Sequence, residues 1–220
     1  MKLTDNLYVY PERGMLDCNT YVIRDDVNVI IDPGSTQFLP QLAGDLFGDG
    51  IDPKDINTIT NTHLHPDHCW ANEAFKNLSG ARIVIHPLHK KFYDMTVTAA
   101  SNFLGFEGMD FKADSYFDNG KLNTGHMEFE LIHSPGHSPE SICFYCRNEK
   151  ILISGDVIFA QNTGRVDLPG GNGEELKQSI EMLSQLEIEY LLPGHMDIVT
   201  GAEEVKKNFE FVKRHIFPWL

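Results

Sequence analysis

The chain has 220 residues, of which 41% are hydrophobic and 23% are charged, and its formal net charge is −14. This length and composition can bury one sizeable hydrophobic core, and the negative charge repels polyanions such as nucleic acids. The first residues lack the apolar stretch of a signal peptide, and no apolar run approaches the ~20 residues of a transmembrane helix. We therefore expect a single cytoplasmic domain over residues 1–220, with neither a nucleic-acid nor a membrane partner.

In the first half of the chain, short runs of β-branched and aromatic residues predict strands. A polar pair between two of these runs indicates a hairpin. Proline and aspartate at the start of one segment suit the first turn of a helix. The predicted strands are 7–10, 20–23, 27–31, 56–62 and 82–86, and the predicted helices are at about 37–47 and 66–78.

From about residue 88 to 116 the pattern changes to an aromatic, partly helical stretch. We expect an insertion here that is either a lid over a site or a helical elaboration of the surface. Its aromatic side chains would line a substrate pocket in the first case, although packing in the core or the lid is the default interpretation. The side chains concerned are Tyr93, Phe103, Phe106 and Phe111.

The second half of the chain repeats the strand pattern and ends with a helix. Two batches of strands, each flanked by helices, predict an α/β fold in which two sheets pack face to face with helices outside. Cys143 and Cys146 lie on one predicted strand, where residues three apart face opposite sides, so we expect both thiols in the core. The predicted strands are 127–133, 141–145, 150–154 and 188–192, and the predicted helices are 173–186 and 202–217.

The predicted strand at 56–62 leads directly into the motif His63-x-His65-x-Asp67-His68. His63 and His65 are two residues apart, so on an extended chain both side chains point to the same side and can share a metal ion. Asp67 and His68 lie in the following helical turn and can point at a second metal ion nearby. Imidazole and carboxylate ligands suit zinc, iron or manganese.

Three later loops each carry one further candidate ligand after a predicted strand and a glycine: His137, Asp156 and His195. Glycine lets the chain turn sharply at the end of a strand. Any one of these residues alone is most often an ordinary polar loop residue. The repeated order of strand, glycine and ligand favours a metal centre, because so many imidazoles buried without metal would leave donors and acceptors unsatisfied.

Together with Asp32, these residues resemble the ordered motifs of the metallo-β-lactamase superfamily over about residues 7–200. The resemblance implies a four-layer αββα sandwich that forms one domain over the whole chain, with a dinuclear metal centre. Asp32 would fix the loops around the site, although Asp-Pro-Gly is also an ordinary turn. The implied first metal site is His63, His65 and His137, and the second is Asp67, His68 and His195, with Asp156 bridging.

Within the superfamily, three segments resemble glyoxalase II, the hydroxyacylglutathione hydrolases: residues 134–141, 155–159 and 164–171. True β-lactamases generally lack the bridging aspartate that Asp156 would supply, which disfavours antibiotic hydrolysis. Glyoxalase II proper carries a C-terminal helical domain with part of its glutathione site, whereas the chain after His195 has room for one helix. The resemblance is therefore to a short glyoxalase II-like type, and the thiol of its substrate stays open.

The resemblance implies a hydrolase that attacks a small-molecule thioester or ester with a hydroxide bridging two divalent metal ions. Zinc is the first choice for these ions, with iron or manganese as alternatives. Asp67 is the expected catalytic residue, because it would both bind metal and orient the hydroxide. Arg165 would either bind an anionic end of the substrate or pair with Asp167 to shape its loop.

Other functions stay open from the sequence alone. A mononuclear iron persulfide dioxygenase shares the fold, and His63, His137 and Asp156 would form its facial triad. A lactonase or a phosphodiesterase would use the same hydrolytic site. A catalytically silent binding module is a further alternative, although the complete ligand set argues against it. The other histidines fit no motif, and we expect them on the surface or in ordinary packing: His86, His89, His126, His133 and His215.

Overall fold

The computed structural model describes residues 1–99, 101–102 and 111–220. Within these residues the strands form two mixed sheets of six strands each. The first sheet follows chain order, with β1 (Leu7–Tyr10), β2 (Thr20–Ile23), β3 (Val29–Ile31), β4 (Thr58–Thr60), β5 (Arg82–Ile85) and β6 (Ser115–Tyr116). The second sheet also follows chain order, with β7 (Lys121–Asn123), β8 (Glu128–His133), β9 (Ile142–Cys146), β10 (Ile151–Gly155), β11 (Tyr190–Pro193) and β12 (Val199–Thr200).

Helices cover the sheets and occupy several of the connections. The α-helices are α1 (Leu39–Gly48), α2 (Pro66–Cys69), α3 (Asn72–Ser79), α4 (Pro87–Tyr93), α5 (Gly173–Leu183) and α6 (Ala202–His215). Short 3-10 helices lie at Thr36–Phe38, Pro53–Asp55 and Phe217–Trp219, and a π-helical turn lies at Asp94–Ala99. In the part of the chain that the structure describes, none of these helices has the length and the apolar character needed to cross a membrane.

The hydrophobic core lies in three layers, one between the sheets and one on each outer face. Between the sheets, Val9 and Tyr21 of the first sheet share a buried cluster with Phe144 and Ile153 of the second. The outer face of the first sheet packs against α1 and α3, and the outer face of the second sheet packs against α5 and α6. The four-layer αββα arrangement predicted from the sequence is confirmed.

The two cysteines of β9 show how a strand divides its side chains between these layers. Cys146 belongs to the cluster between the sheets, whereas Cys143 belongs to the outer cluster under α5 and α6. Both are buried as free thiols, as are Cys18 and Cys69. The prediction that this pair is core, facing opposite sides of one strand, is confirmed.

Three differences from the predicted elements have physical causes. Strand β4 is shorter than predicted, because Thr62 leaves the ladder and its amide donates to Oδ1 of Asp32 at 2.8 Å. The predicted helix after the histidine motif is broken into α2 and α3, because the amide of Ala71 donates to the carbonyl of Gly34 at 2.8 Å. Strands β6, β7 and β12 are two or three residues long, which is too short for a periodic pattern to reveal.

The described part of the insertion contains α4 and the π-helical turn that follows it. Val97 in this turn packs with Leu64 and Cys69, so the insertion lies directly beside the histidine motif. Contact with Leu64 places this part of the insertion under the motif rather than at a distant surface.

Two of the four aromatic residues predicted in the insertion can be located. Tyr93 and Phe111 pack edge to face at 5.7 Å between ring centroids, which is the default packing role predicted for them. Phe103 and Phe106 belong to the range 103–110, which lies outside the described residues together with residue 100. The interpretation of the insertion as a lid therefore stays a prediction.

Candidate metal centre

All the ligand candidates from the sequence lie at one end of the two facing sheets. Strand β4 leads into the motif at 63–68, and on the second sheet β8, β10 and β11 lead to His137, Asp156 and His195. Strands β3 and β4 run parallel, as do β10 and β11, so their carboxyl ends meet at a common edge. Polar side chains that follow such strand ends converge on the crevice outside the sheet.

The first group of candidate ligands consists of three buried histidines, His63, His65 and His137. Nδ1 of His65 lies 2.8 Å from Nε2 of His137, and that Nε2 lies 3.2 Å from Nε2 of His63. Burial lowers the pKa of all three rings, and the pKa of His65 falls to about 3. The rings are therefore neutral at pH 7, which is the form of imidazole that binds a metal ion.

The second group, beside the first, consists of Asp67, His68 and His195. Nε2 of His195 lies 3.2 Å from Oδ2 of Asp67 and 3.4 Å from Nε2 of His68. Burial lowers the pKa of His195, but the surrounding carboxylates, with Asp156 foremost, raise it well above its usual value. A site whose carboxylates favour positive charge to this degree also favours a bound cation.

The carboxylate of Asp156 lies between the two groups. Oδ2 is 3.4 Å from Nε2 of His137 in the first group and 3.4 Å from Nε2 of His195 in the second. Oδ1 is 3.3 Å from Nε2 of His68, and it is buried without a hydrogen-bond donor of good geometry among the described residues. Lone pairs that converge at these distances are satisfied by cations, so the residues fit two divalent metal ions.

Asp32 holds both the start of the histidine loop and one of its rings. Its Oδ1 accepts the amide of Thr62 at 2.8 Å, and its Oδ2 accepts the hydroxyl of Thr62 at 2.6 Å. Oδ2 also lies 2.9 Å from Nδ1 of His68. A carboxylate that accepts from Nδ1 leaves Nε2 of that ring with its lone pair facing the second group. Asp32 therefore does more than close its Asp-Pro-Gly turn.

Two further partners orient candidate ligands, and the sequence did not reveal either. Nδ1 of His137 donates to the backbone carbonyl of Arg165 at 2.7 Å, and Nδ1 of His195 lies 2.7 Å from Oε2 of Glu12. A backbone carbonyl carries no residue signature. Glu12 lies 183 residues from its partner and outside every motif, so only the fold brings the two together.

Glu140 is a third residue that sequence reasoning missed. Its side chain is buried, and its Oε1 accepts the amide of Leu64 at 3.2 Å. Burial raises the pKa of this carboxyl above its usual value. Because Glu140 follows His137 and Leu64 separates His63 from His65, this hydrogen bond joins the two loops that carry the first group.

The glycine before each later ligand is required for one of two reasons. Gly136 has a φ of 136° and Gly155 a φ of 50°, a region that favours glycine, so the predicted sharp turn is confirmed at both positions. Gly194 has no such φ. It is required because any side chain there would overlap the carboxylate of Asp156.

A cavity of about 320 Å³ opens onto this centre, a size that suits a small molecule. Several candidate ligands form its floor, and the apolar side chains of Leu16, Phe159 and Leu168 form part of its wall. Arg165 also lines the cavity, but its guanidinium donates to both carboxylate oxygens of Asp167 at 2.6 Å. The pairing that the sequence offered as one interpretation is present, and a contact of Arg165 with substrate stays a prediction.

Two of the five histidines outside the motifs show how different their surroundings are. His89 is fully buried and neither of its ring nitrogens has a hydrogen-bond partner of good geometry among the described residues, whereas His126 is exposed with Nδ1 2.7 Å from Oδ1 of Asp25. Asp25, Asp26 and His126 lie close enough together to hold a cation. However, the carboxylate of Asp25 already accepts the amides of His126 and Met127, so this cluster serves to link two loops.

Comparison with known proteins places this arrangement in a family. The model of the metallo-beta-lactamase superfamily matches residues 13–195, a range that contains every candidate ligand and ends at His195. The chain belongs to the metallo-β-lactamase superfamily. The resemblance recognised from the motifs is thereby confirmed. The two groups of histidine and aspartate side chains are close enough together to be candidate sites for metal ions.

Two named relatives span nearly the same length. A probable metallo-hydrolase of Bacillus subtilis is 31% identical over 201 residues, which cover 87% of this chain and 92% of that protein. A hydroxyacylglutathione hydrolase of Haemophilus influenzae, GloC, is 28% identical over 211 residues, which cover 92% of this chain and 96% of that protein. Both similarities therefore extend over most of each chain.

Solved structures agree with this placement. The crystal structure of BLEG-1, a B3 metallo-beta-lactamase, superposes with a TM-score of 0.77 at 28% identity and covers 95% of this chain and 97% of that one. The crystal structure of TTHA1623 in a di-iron-bound form superposes with a TM-score of 0.73 at 27% identity and covers 94% of this chain and 98% of that one. The second similarity shows that a protein of this fold and size holds two metal ions.

Proposed function

We propose that this chain is a glyoxalase II-like hydrolase that cleaves a thioester or an ester with two divalent metal ions. The observation that carries the proposal is the position of Asp156, whose carboxylate lies within 3.4 Å of His137 in one group and of His195 in the other. A carboxylate between two histidine groups favours a dinuclear centre over a mononuclear one.

Each predicted ligand has a place in this proposed centre. His65 uses Nδ1, because that nitrogen is the one that faces His137, whereas the other histidine ligands use Nε2. The donor set suits zinc, iron and manganese, and we take zinc as the first choice. The proposed ligands are His63, His65 and His137 for the first ion and Asp67, His68 and His195 for the second, with Asp156 shared.

Bound at this centre, two divalent ions supply a water of lowered pKa and polarise the carbonyl of the substrate. The side chain of Asp67 is 24% exposed at the floor of the cavity, where it can accept a hydrogen bond from the attacking water and orient it. The water oxygen bonds to the acyl carbon, the bond from that carbon to sulfur breaks, and the products are a carboxylic acid and a thiol. The apolar wall around Phe159 and Leu168 holds the acyl group and excludes bulk water.

The substrate is proposed to be a small thioester, with glutathione thioesters among the candidates. The similarity to a hydroxyacylglutathione hydrolase covers 96% of that protein, which supports a glutathione thioester as a candidate. The four cysteines are free thiols, which is typical of the reducing cytoplasm where glutathione is abundant. We therefore infer a cytoplasmic enzyme.

The test is a substrate panel run on protein of measured metal content. We expect about two metal ions per chain and hydrolysis of S-lactoylglutathione or of a simple acyl thioester, with lactones, phosphodiesters and a β-lactam as comparison substrates. One iron ion per chain together with oxygen uptake on glutathione persulfide would instead establish the mononuclear dioxygenase. A protein with two metal ions and no turnover of any ester would contradict the hydrolase.

The role of Asp67 is tested by Asp67→Ala, with Asp5→Ala as a control at a side chain that is 99% exposed. We expect turnover to fall by about 10²- to 10⁴-fold in the first variant, because a ligand and the group that orients the water are both lost. The control should match the wild type. Unchanged turnover in Asp67→Ala would refute the role proposed for this residue.

A further inference from the structure

Glu12 lies outside every motif of the metal centre, yet its carboxylate is in direct contact with His195. Oε2 of Glu12 lies 2.7 Å from Nδ1 of His195, and Oε1 accepts the amide of Met196 at 3.1 Å. Because an ionised carboxylate can only accept, Nδ1 of His195 carries a proton, which leaves Nε2 as the nitrogen of this ring that can bind a metal ion. That Nε2 faces Asp67 at 3.2 Å.

We propose that Glu12 is a positioning residue that holds His195 in the tautomer and orientation that bind the second metal ion. This inference rests on the proposed dinuclear centre and adds a residue that none of the motifs contains. Glu12 does not line the cavity, so it acts on the metal centre through its hydrogen bonds to His195 and to the adjoining amide of Met196.

The backbone that carries Glu12 is itself fixed to the loop that carries His195. The amide of Glu12 donates to Oδ1 of Asn19 at 3.0 Å. Nδ2 of Asn19 donates to the carbonyls of Pro193 at 3.0 Å and Met196 at 2.9 Å. Asn19 therefore donates hydrogen bonds to residues before and after His195. These bonds fix the loop before β2 of the first sheet to the loop after β11 of the second sheet.

The second metal site depends on hydrogen bonds of this kind more than the first does. The side chain of His195 is 21% exposed, whereas the three histidines of the first group are at most 2% exposed. Packing on all sides restricts a fully buried ring, whereas a partly exposed ring retains more rotational freedom unless a hydrogen bond removes it. Loss of the Glu12 carboxylate should therefore weaken the binding of the second metal ion and leave the binding of the first unchanged.

The test compares Glu12→Gln with Glu187→Gln, which removes the same charge at a side chain that is 80% exposed and remote from the site. Stepwise zinc dissociation constants are measured by chelator competition for both variants and the wild type. We expect the weaker of the two constants to rise by about 10- to 100-fold in Glu12→Gln only, as for other partners that orient metal ligands. The Tm of the metal-free protein should be the same in both variants.

Three outcomes are distinguishable. If both zinc constants of Glu12→Gln match the control, the proposed role of Glu12 is wrong. If both constants rise together and the metal-free Tm falls, Glu12 is part of the loop scaffold and the positioning role is also wrong. If the wild type itself binds only one zinc ion, the dinuclear centre fails, which is a separate result from the failure of Glu12.

A second measurement needs no variant of Glu12. In zinc-loaded wild-type protein labelled with ¹⁵N-histidine, long-range ¹H–¹⁵N correlations report which ring nitrogen carries the proton. We expect a protonated Nδ1 and a metal-bound Nε2 for His195, with its signals assigned by their absence in His195→Gln. A protonated Nε2 would overturn the inference even if every Glu12 variant failed to fold.

Discussion

Gly194 packs so closely against Asp156 that any side chain at Gly194 would overlap Oδ1 of that carboxylate. A Cβ at this position would also lie 2.7 Å from Cε1 of His68. Gly194 immediately precedes His195, so the small size of this one residue leaves room for the carboxylate of Asp156 beside the candidate ligands His68 and His195. The size of this residue, rather than its backbone freedom, is what the site requires.

Gly194→Ala is therefore expected to lower the metal content of the purified protein to one ion per chain or less. Turnover of the substrate found in the panel should fall with it, because Asp156 must move away from one group. The measurement is metal analysis by mass spectrometry together with kcat. Gly44→Ala is the control, since Gly44 lies within α1 with nothing near its Cβ, and there alanine favours the helix. Full metal content in Gly194→Ala would show that the centre tolerates a displaced Asp156.

Asp32→Asn should weaken both the fold and the second metal site. An amide cannot accept from Thr62 and His68 at Oδ2 as the carboxylate does, so a buried donor loses its partner. We expect the free energy of unfolding of the metal-free protein, measured in urea, to fall by about 1–3 kcal/mol. Zinc affinity at the second site should fall as well. If Asp32→Asn equals the wild type in both measurements, Asp32 is only an ordinary turn residue.

The pair of Asp25 and His126 should make stability depend on pH at a place remote from the metal centre. Burial raises the pKa of Asp25, but hydrogen bonds led by that from His126 lower it below its usual value. The hydrogen bond to Asp25 raises the pKa of His126 above its usual value of 6.5. The carboxylate therefore contributes stability above its ordinary pKa of about 4, and the imidazolium contributes it below about 6.5.

It follows that His126→Gln should lower the Tm of the metal-free protein most between about pH 4 and 6.5. The difference from the wild type should shrink as the pH rises through the raised pKa of His126, because the wild-type ring then loses its charge. Thermal unfolding followed at pH 5.5 and at pH 9 checks this. If the Tm difference between His126→Gln and the wild type is equal at both pH values, the hydrogen bond of His126 contributes to stability independently of the charge on its ring.

A substitution at Arg165 distinguishes between the two roles that the sequence left open for it, binding of an anionic substrate and pairing with Asp167. Its side chain is 55% exposed and paired with Asp167, and such exposed pairs contribute about 0–1 kcal/mol. If the guanidinium only shapes its loop, Arg165→Ala should leave KM for neutral and anionic thioesters within about threefold, since its carbonyl still accepts from His137. A KM that rises steeply for anionic thioesters alone would instead assign Arg165 to substrate binding.

The sequence by itself determined the fold class and the set of candidate ligands. Four candidate ligands follow strand β4, and each of the other three follows a strand of its own and a glycine, an order that is visible without knowing where the strands lie. Two batches of β-branched and aromatic runs, each flanked by predicted helices, likewise predicted two covered sheets, because runs of this kind are visible in the local sequence. The local sequence did not predict strands such as β6 and β12, which are too short to show a periodic pattern.

The tertiary structure alone decided how the ligands are held. The hydrogen bonds that orient the candidate ligands join segments far apart in the chain: Glu12 with His195, Glu140 with the amide of Leu64, and the carbonyl of Arg165 with His137. Their residue types are common at surfaces and in turns, so nothing in their neighbours marks them. These partners become visible only when the two sheets pack, because hydrogen bonds depend on distances in space and not on separation along the chain.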